Sequence, residues 1–449
     1  MQTNQNLDII YNQHCPICNY GIVANLVDFG ALVDSTHIVE TNDRNVALQR
    51  PKLEHHFCYC PRCETIYNDK LDYSKIAFDN NQYRCCNLGK DWQEQIKKSK
   101  KLIIEALQRV INSKPKNSTI TILEIGCGDG YFIEALAEEI FKEKLDANHT
   151  IKFFGCDLSP APENTKYMEY KQQYFEPEKH ISEYNADIII LEQVIGYFEN
   201  LPDFLDNLAL NVAISQKNIQ KNSQKISQII SPKYLFVSEA HFDELINTHR
   251  YNELYYTRKI NLSKAAFEYL MFRTGKVIDI NHDLLNGESS IALVELTEEF
   301  NSNSAADKLN NLPKIYQNLQ KANDFYNISL SSIANIKKQI LDLYKNKQAN
   351  QQIAIWGAAA RGANFMNLFE MDYQKFPLVV DSDRSKSGFY VPGTGQQIQH
   401  YDCLKNYSDT IIIIATQWRA KEIYATIKEN NINYSAVYVL ENGNLVKLN

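Results

Sequence analysis

Two CxxC pairs near the amino terminus have the spacing of a metal site. They read CPIC at 15–18 and CPRC at 60–63. Each tight turn lets two thiolates reach one tetrahedral ion, and four thiolates leave no open coordination position for chemistry. Cys58, which adds a third thiolate in CYCPRC, is left outside this set, as are His55 and His56. The pairs therefore predict a structural Zn²⁺ bound by Cys15, Cys18, Cys60 and Cys63.

A glycine-rich turn follows an apolar run in ITILEIGCGDGYFIEAL, residues 120–136. Gly126 and Gly128 permit a close backbone approach by a ligand, and Asp157 ends the next strand-like segment, where it can bind ribose hydroxyls. Asp129 in the turn would repel a pyrophosphate but suits a cationic, amino-acid-bearing ligand. The pattern predicts S-adenosylmethionine (SAM), bound by Glu124, Gly126, Cys127, Gly128, Asp157, Leu158 and Glu192.

A second glycine-rich stretch, IAIWGAAARGANF, occupies residues 353–365. Gly357 and Gly362 are separated by alanines and an arginine, and no acid ends the next strand at the distance expected for a ribose. We therefore do not expect the methyl donor in this half. SAM at the first turn favours a methyltransferase. Two other interpretations remain open: a nicotinamide-dependent oxidoreductase that uses the second turn, and a non-catalytic protein that binds a sugar nucleotide or a partner.

Strand-like and helix-like segments alternate around both glycine-rich turns, a pattern typical of α/β proteins with a doubly wound parallel sheet. An amphipathic helix is expected over about 90–118, with Ile96, Leu102, Ile103, Leu107 and Val110 on its apolar face. After about residue 350 the alternation of strands and helices begins again, which predicts a second, smaller α/β unit. The turn EIGCGDG at 124–130, followed by Asp157, closely resembles motifs I and II of the class I SAM-dependent methyltransferases. The predicted divisions are therefore a zinc-binding domain, a central class I methyltransferase domain with a Rossmann-like fold and a C-terminal Rossmann-like domain, at residues 1–75, 76–300 and 301–449.

Composition narrows the class of protein. A formal net charge of −7 and an isoelectric point near 5.9 argue against nucleic-acid binding through a general basic field. The longest apolar runs are strand-length and far short of a membrane span. The first residues lack the basic and apolar regions of a signal peptide. We expect a cytoplasmic enzyme with a small-molecule substrate and no membrane or nucleic-acid partner.

Together these features resemble the three-domain sugar C-methyltransferases of deoxysugar biosynthesis. The most specific part is GAAARGANFMN with VVDSDRSKSGFYVPGTGQQI, where Arg361 stands at the position of a family lysine. The resemblance implies a nucleotide-diphosphate-linked keto-sugar, held between the SAM domain and the C-terminal domain. It suggests Tyr83, Arg361, Asp381 and Lys386 as substrate-binding residues. Arginine and lysine beside a helix N-terminus suit diphosphate oxygens.

The family removes a proton beside a ketone, and the resulting enolate attacks the methyl group. Its Tyr-His-Glu-His run is replaced here by residues 251–254, Tyr-Asn-Glu-Leu, so both histidines are missing. Another family histidine falls on Tyr197. One of Glu253, His241 and His249 has taken over as base, or the substrate is an amine or hydroxyl (N- or O-methylation), or the site only binds. The catalytic candidates are Glu253, Tyr251, His241, Glu239 and Tyr197.

Overall fold

The computed structural model describes residues 9–11, 13–35, 43–76, 89–162, 165–222, 231–296 and 309–448. Tyr83, a predicted substrate-binding residue, lies outside these ranges. The described residues form three β-sheets with helices between and around them. The predicted α/β class, with a small sheet, a class I methyltransferase sheet and a second Rossmann-like sheet, is confirmed.

The first sheet carries the two CxxC turns and is antiparallel throughout. One turn precedes its second strand, and the other joins its third and fourth strands. The fifth strand comes from far along the chain, because Ile260 and Asn261 pair with Tyr67 and Ile66. The strands in spatial order are Ile9–Tyr11, Ile22–Val33, Lys52–Tyr59, Ile66–Asn68 and Ile260–Asn261.

The central sheet has seven strands, and all but one run in the same direction. The exception is Ser289–Glu295, which lies antiparallel to both of its neighbours. The expectation of a wholly parallel sheet is therefore wrong here, because the short turn Leu285–Gly287 can only join antiparallel strands. The spatial order is Lys276–Leu284, Ser289–Glu295, Tyr234–Ala240, Ile188–Glu192, Thr119–Ile125, Thr150–Asp157 and Met168–Gln172.

Helices cover the central sheet. The first of them begins at Lys90 and ends at Ser113, and the five apolar residues predicted for its inner face are all buried. They pack in one core with side chains of the sheet such as Ile120 and Phe236. The helices of this part are Lys90–Ser113, Tyr131–Lys142, Pro177–Tyr184, Leu201–Asn222, Asp243–Asn247 and Lys264–Thr274.

The third sheet has five parallel strands and an antiparallel edge strand. In spatial order these are Ile398–His400, Leu378–Asp381, Gln352–Trp356, Thr410–Ile414, Ala436–Glu441 and Asn444–Leu448. Its helices are Leu312–Asn346, Arg361–Leu368 and Ala420–Glu429.

The longest helix, Leu312–Asn346, connects the outer two sheets. It packs against the strand Ile22–Val33 of the first sheet and the edge strand Asn444–Leu448 of the third. Its buried residues Phe325 and Ile336 share one core with both parts. None of the helices in the described ranges has both the length and the apolar character that crossing a membrane requires.

Candidate active site

The two glycine-rich turns face one cavity of about 1010 Å³. Gly126 follows the central strand Thr119–Ile125, and Gly357 follows Gln352–Trp356 of the third sheet. Both sheets therefore direct the carboxyl ends of parallel strands toward the same space, which is where open α/β sheets bind their ligands.

The first glycine-rich turn requires its glycines. Gly126, Gly128 and Gly130 have φ values of 75°, 54° and 74°, in the left-handed region. A Cβ atom added to Gly126 would lie 2.3 Å from Cγ2 of Val194. At its glycines the turn therefore presents backbone to the cavity, which the residues between them, Cys127 and Asp129, also line.

Asp157 is held in place by the turn it faces. Its Oδ2 accepts a hydrogen bond from the Gly128 amide at 2.9 Å, and its Oδ1 accepts from the Ser159 amide and hydroxyl, both at 2.8 Å. Leu158, beside it, is partly exposed and also lines the cavity. The carboxylate is therefore positioned before a ligand arrives.

Two further carboxyl groups give this end of the cavity an acidic character. Burial raises the pKa of Glu124 well above its usual value, and Glu192 and Asp129 add to the effect. Burial raises the pKa of Glu192 to about 8. Within the described chain, Oε2 of Glu124 is buried and has no hydrogen-bond partner. A cationic ligand would satisfy such groups, which fits SAM with its sulfonium and ammonium charges.

All seven predicted SAM-binding residues line the cavity. So do three of the four predicted substrate residues, Arg361, Asp381 and Lys386, from the opposite wall. Lys386 Nζ lies 3.1 Å from Asp381 Oδ1, and Asp381 Oδ2 accepts from the Ala358 amide at 3.1 Å. The structure therefore brings the two predicted sets of residues together across one space.

The turn before Arg361 is tight. Ala360 has φ 38° and ψ −99°, an uncommon conformation for alanine. A Cβ on Gly362 would lie 2.3 Å from the Gly357 carbonyl oxygen, so the helix Arg361–Leu368 begins directly against the turn. The Arg361 guanidinium lies 5.0 Å from the ring centroid of Trp418, which also lines the cavity. The turn thus places the Arg361 guanidinium and the N-terminus of a helix together in one wall of the cavity.

A group of tyrosine and arginine side chains lies between the two walls. The hydroxyls of Tyr197 and Tyr255 are 3.0 Å apart. The Arg258 guanidinium lies 5.5 Å from the Tyr197 ring centroid and forms a hydrogen bond with Tyr255. Glu239, buried, forms an ion pair with Arg258 and accepts from the Gly196 amide at 2.9 Å. Glu239 therefore contacts the cation rather than the cavity.

Tyr255 and Arg258 were missed by the sequence reasoning, although both line the cavity. Both lie in the segment RYNELYYTRK, which also contains the predicted candidates Tyr251 and Glu253. The segment has several tyrosines and basic residues, and the sequence does not indicate which of them face the cavity.

The other three catalytic candidates do not line the cavity. The Tyr251 hydroxyl is buried and lies 2.7 Å from Ser332 Oγ. His241 is buried, with Nδ1 3.1 Å from Asp243 Oδ2. Glu253 accepts from Arg361 Nη1 at 3.2 Å and from the Trp418 amide at 3.1 Å. It lies behind the cavity wall that carries Arg361 and Trp418, and it hydrogen-bonds to both residues.

The four predicted zinc ligands form one buried cluster. The Sγ atoms of Cys15 and Cys63 are 3.6 Å apart, as are those of Cys18 and Cys60. A tetrahedral zinc ion with Zn–S bonds of about 2.3 Å needs sulfur separations of about 3.8 Å. The cluster therefore fits a structural Zn²⁺.

Two family models match the chain. Residues 92–215 match a methyltransferase domain, and residues 290–437 match a C-methyltransferase C-terminal domain. The chain is a SAM-dependent methyltransferase with the C-terminal domain of C-methyltransferases. The first match contains the glycine-rich turn and Asp157, and the second contains Arg361, Asp381 and Lys386. The nicotinamide interpretation is thereby set aside, and the methyltransferase takes SAM as its cofactor.

Solved structures similar to the methyltransferase are remote. Magnesium protoporphyrin IX methyltransferase from Synechocystis PCC 6803, solved with SAM, is 11% identical with a TM-score of 0.29 and covers 48% of this chain and 88% of its own. A SAM-dependent methyltransferase from Aquifex aeolicus is 12% identical, with a TM-score of 0.27 and coverage of 45% and 98%. Haemonchus contortus phosphoethanolamine N-methyltransferase 1 is 9% identical, with a TM-score of 0.26 and coverage of 83% and 82%. Among curated proteins, none matches.

Proposed function

We propose that the methyltransferase transfers a methyl group from SAM to a carbon atom beside the ketone of a nucleotide-diphosphate-linked deoxysugar. The observation that carries this proposal is that one cavity is lined by two walls of unlike chemistry. One wall has the glycine-rich turn and buried carboxyl groups, and the other has Arg361, Lys386 and the N-terminus of a helix. A cationic donor and an anionic acceptor can thus meet in one space.

The cationic side chains in the wall that carries Arg361 and Lys386 can bind the oxygens of a diphosphate. Each of Arg361, Lys386 and Arg419 lies beside a carboxylate of its own chain, respectively Glu253, Asp381 and Glu422. These pairs hold the side chains in place, and a guanidinium with five N–H donors retains donors for a ligand. Trp418, beneath the Arg361 guanidinium, adds a flat apolar surface.

Tyr197 is the best-placed residue for the proton transfer. Its hydroxyl is bonded to that of Tyr255, and the nearby Arg258 guanidinium stabilises a phenolate electrostatically. In the proposed reaction the Tyr197 phenolate takes the proton from the carbon beside the ketone, and the C–H electron pair forms the enolate. Glu239 keeps Arg258 in position for this step.

Bound SAM supplies the electrophilic methyl group. The protein's contribution is to hold the nucleophilic carbon in line with the methyl–sulfur bond, which is worth several orders of magnitude in rate. In this proposal Asp157 and the first glycine-rich turn hold SAM, and the wall that carries Arg361 and Lys386 holds the nucleotide sugar.

The test is a product analysis. The purified protein is incubated with SAM bearing a deuterated methyl group and a panel of nucleotide-diphosphate sugars, with and without a ketone. We expect a labelled product only with keto-sugars, and fragmentation should place the label on carbon. Label on nitrogen or oxygen, or transfer only to acceptors without a nucleotide, would contradict the proposal.

A further inference from the structure

A second group of metal-binding side chains lies in the first sheet, apart from the four-cysteine cluster. His56 and Cys58 are two residues apart in the strand Lys52–Tyr59, so their side chains share one face. Asp69 directly follows the neighbouring strand Ile66–Asn68. Because Phe57 pairs with Asn68, Asp69 comes opposite His56. Strand pairing therefore places a thiol, an imidazole and a carboxylate side by side.

The three ligand atoms lie within 4.8 Å of one another. Asp69 Oδ1 is 2.5 Å from His56 Nδ1, and Cys58 Sγ is 4.0 Å from the same nitrogen. In a catalytic Cys-His-Asp arrangement the thiol and the carboxylate use different ring nitrogens. Here both approach Nδ1, which has a single bonding position. The arrangement therefore does not fit a nucleophile relay, but atoms that converge on one point fit a shared cation.

We propose that His56, Cys58 and Asp69 bind a second divalent cation of the zinc class. Bond lengths of about 2.0–2.3 Å in a tetrahedral site require ligand separations of about 3.3–3.6 Å. Oδ1 and Nδ1 must move apart and Sγ and Nδ1 must approach, each by less than about 1 Å, within the reach of side-chain rotation. Nitrogen, sulfur and oxygen together are a donor set that zinc accepts.

The surroundings of the group support access by a cation. The side chains of His56 and Asp69 are 14% and 17% exposed, so both remain partly accessible to solvent. Gln13 lies beside it, with Nε2 3.9 Å from Cys58 Sγ and 3.3 Å from the Tyr67 hydroxyl. Water or the Gln13 carboxamide oxygen would complete four ligands.

The second site differs from the four-cysteine cluster in strength. It has one thiolate and remains partly exposed, whereas the cluster has four buried thiolates. We therefore expect its ion to exchange readily and to be lost first on treatment with a chelator. The two sites share the segment that runs from Lys52 to Cys63.

The experiment measures bound metal in the full-length protein at equilibrium dialysis against a fixed concentration of free zinc, so that a readily exchanging ion stays bound while it is counted. Mass spectrometry of the metal should give about two ions per chain in the unaltered protein. Asp69→Asn and Cys58→Ala should each give about one, whereas Cys403→Ser in the C-terminal domain should keep about two. One ion per chain in the unaltered protein, or two in both site variants, would overturn the proposal.

Cobalt separates loss of the site from loss of the fold. The unaltered protein and Asp69→Asn are titrated with Co²⁺, and thiolate-to-cobalt absorption is recorded. Asp69→Asn should keep the intense absorption of the four-cysteine cluster, which shows that the domain is folded, and should lose the binding step with the weaker affinity. If the cobalt titration of Asp69→Asn shows the same two binding steps as that of the unaltered protein, the second site is ruled out.

Discussion

Glu253, which lies between the two matched regions of the chain, forms an ion pair with Arg361 of the C-methyltransferase C-terminal domain, and Arg361 Nη1 is 3.2 Å from Glu253 Oε2. Glu253 is 1% exposed, whereas Arg361 lines the cavity. The same carboxylate accepts from the Trp418 amide. One buried side chain thus orients a cation and an aromatic residue that both line the cavity.

This relationship predicts the effect of Glu253→Gln. Glutamine keeps a hydrogen-bond acceptor but loses the charge, so Arg361 should be held less firmly. We expect KM for the nucleotide sugar to rise about tenfold, as for a weakened charged hydrogen bond, while kcat falls by much less. Steady-state kinetics with varied sugar nucleotide measures both constants.

The same variant tests Glu253 as a base. Solvent exchange of the substrate proton beside the ketone should persist in Glu253→Gln. If exchange is abolished while KM is unchanged, Glu253 removes the proton itself and its role in positioning Arg361 is secondary.

Tyr197→Phe should reduce kcat by about 10²- to 10⁴-fold, the usual contribution of a positioned acid or base. SAM binding should be retained, because the phenol ring remains in the cavity wall. Isotope exchange beside the ketone should fall in parallel, and nuclear magnetic resonance in deuterated water measures it.

Tyr251→Phe is the matched control. Its hydroxyl is bonded to Ser332 away from the cavity, so the loss should cost about 1 kcal/mol of stability and leave exchange intact. A larger loss of kcat in Tyr251→Phe than in Tyr197→Phe would reverse the assignment.

SAM affinity should depend on pH through Glu192. Burial raises the pKa of this carboxyl group to about 8, so in the free protein it is protonated at pH 7. A cationic ligand favours the ionised form, and below pH 8 binding must release the proton. Affinity should therefore fall as the pH is lowered, by up to about tenfold per unit. Calorimetry in buffers of different ionisation enthalpy measures the affinity and the released proton.

Glu192→Gln provides the comparison, because its amide does not titrate. The dependence of SAM affinity on pH between pH 6 and 8 should become smaller, with Glu124, whose pKa burial also raises, as the carboxyl group that still titrates. S-adenosylhomocysteine, which lacks the sulfonium charge, should show a smaller slope than SAM in the unaltered protein. Equal slopes in the two proteins would show that another group controls binding.

Gly126→Ala should weaken SAM binding by at least about tenfold. The residue has φ 75°, and an added Cβ would lie 2.3 Å from Val194 Cγ2, so the turn must shift. Gly30→Ala is the matched control, since Gly30 has φ 66° but nothing within 4 Å of an added Cβ. Adding Val194→Ala to Gly126→Ala should recover part of the affinity. Calorimetric titration with SAM compares all four proteins.

Cys60→Ser should remove zinc from the four-cysteine cluster and lower the melting temperature by at least about 10 °C, because structural zinc contributes directly to folding. Cys403→Ser, at a half-buried thiol of the C-terminal domain, should change neither the zinc content of the cluster nor the melting temperature. Metal analysis and thermal unfolding record the two effects. A chain that keeps its zinc and its melting temperature after Cys60→Ser would exclude the cluster as a zinc site.

Local patterns in the sequence were enough to select a group of residues that line one end of the cavity and that we predict to bind SAM. The turn around Gly126 and the acid at Asp157 lie within 32 residues of each other, and both follow strands whose direction the α/β alternation implies. The two CxxC pairs were predictable for the same reason, because a metal set is defined by residue type and short spacing.

Contacts between distant segments were not predictable in this way. Tyr255 meets Tyr197 across 58 positions, and nothing in either segment specifies that approach. The antiparallel direction of the strand Ser289–Glu295 follows from the short turn that precedes it. It could not be predicted from hydrophobic periodicity, because periodicity does not indicate the direction of a strand. Glu253 and Tyr251 share one short helical turn yet contact Arg361 and Ser332, which only tertiary packing determines.

The fifth strand of the first sheet has a consequence for synthesis on the ribosome. Ile260 and Asn261 complete that sheet, and the Ser263 hydroxyl bonds to the Cys63 carbonyl at 2.6 Å. More than half of the polypeptide must be translated before these partners leave the exit tunnel. The cysteine-bearing segment therefore emerges first but finishes folding only with the domain that follows it, so its maturation is tied to that of the catalytic core.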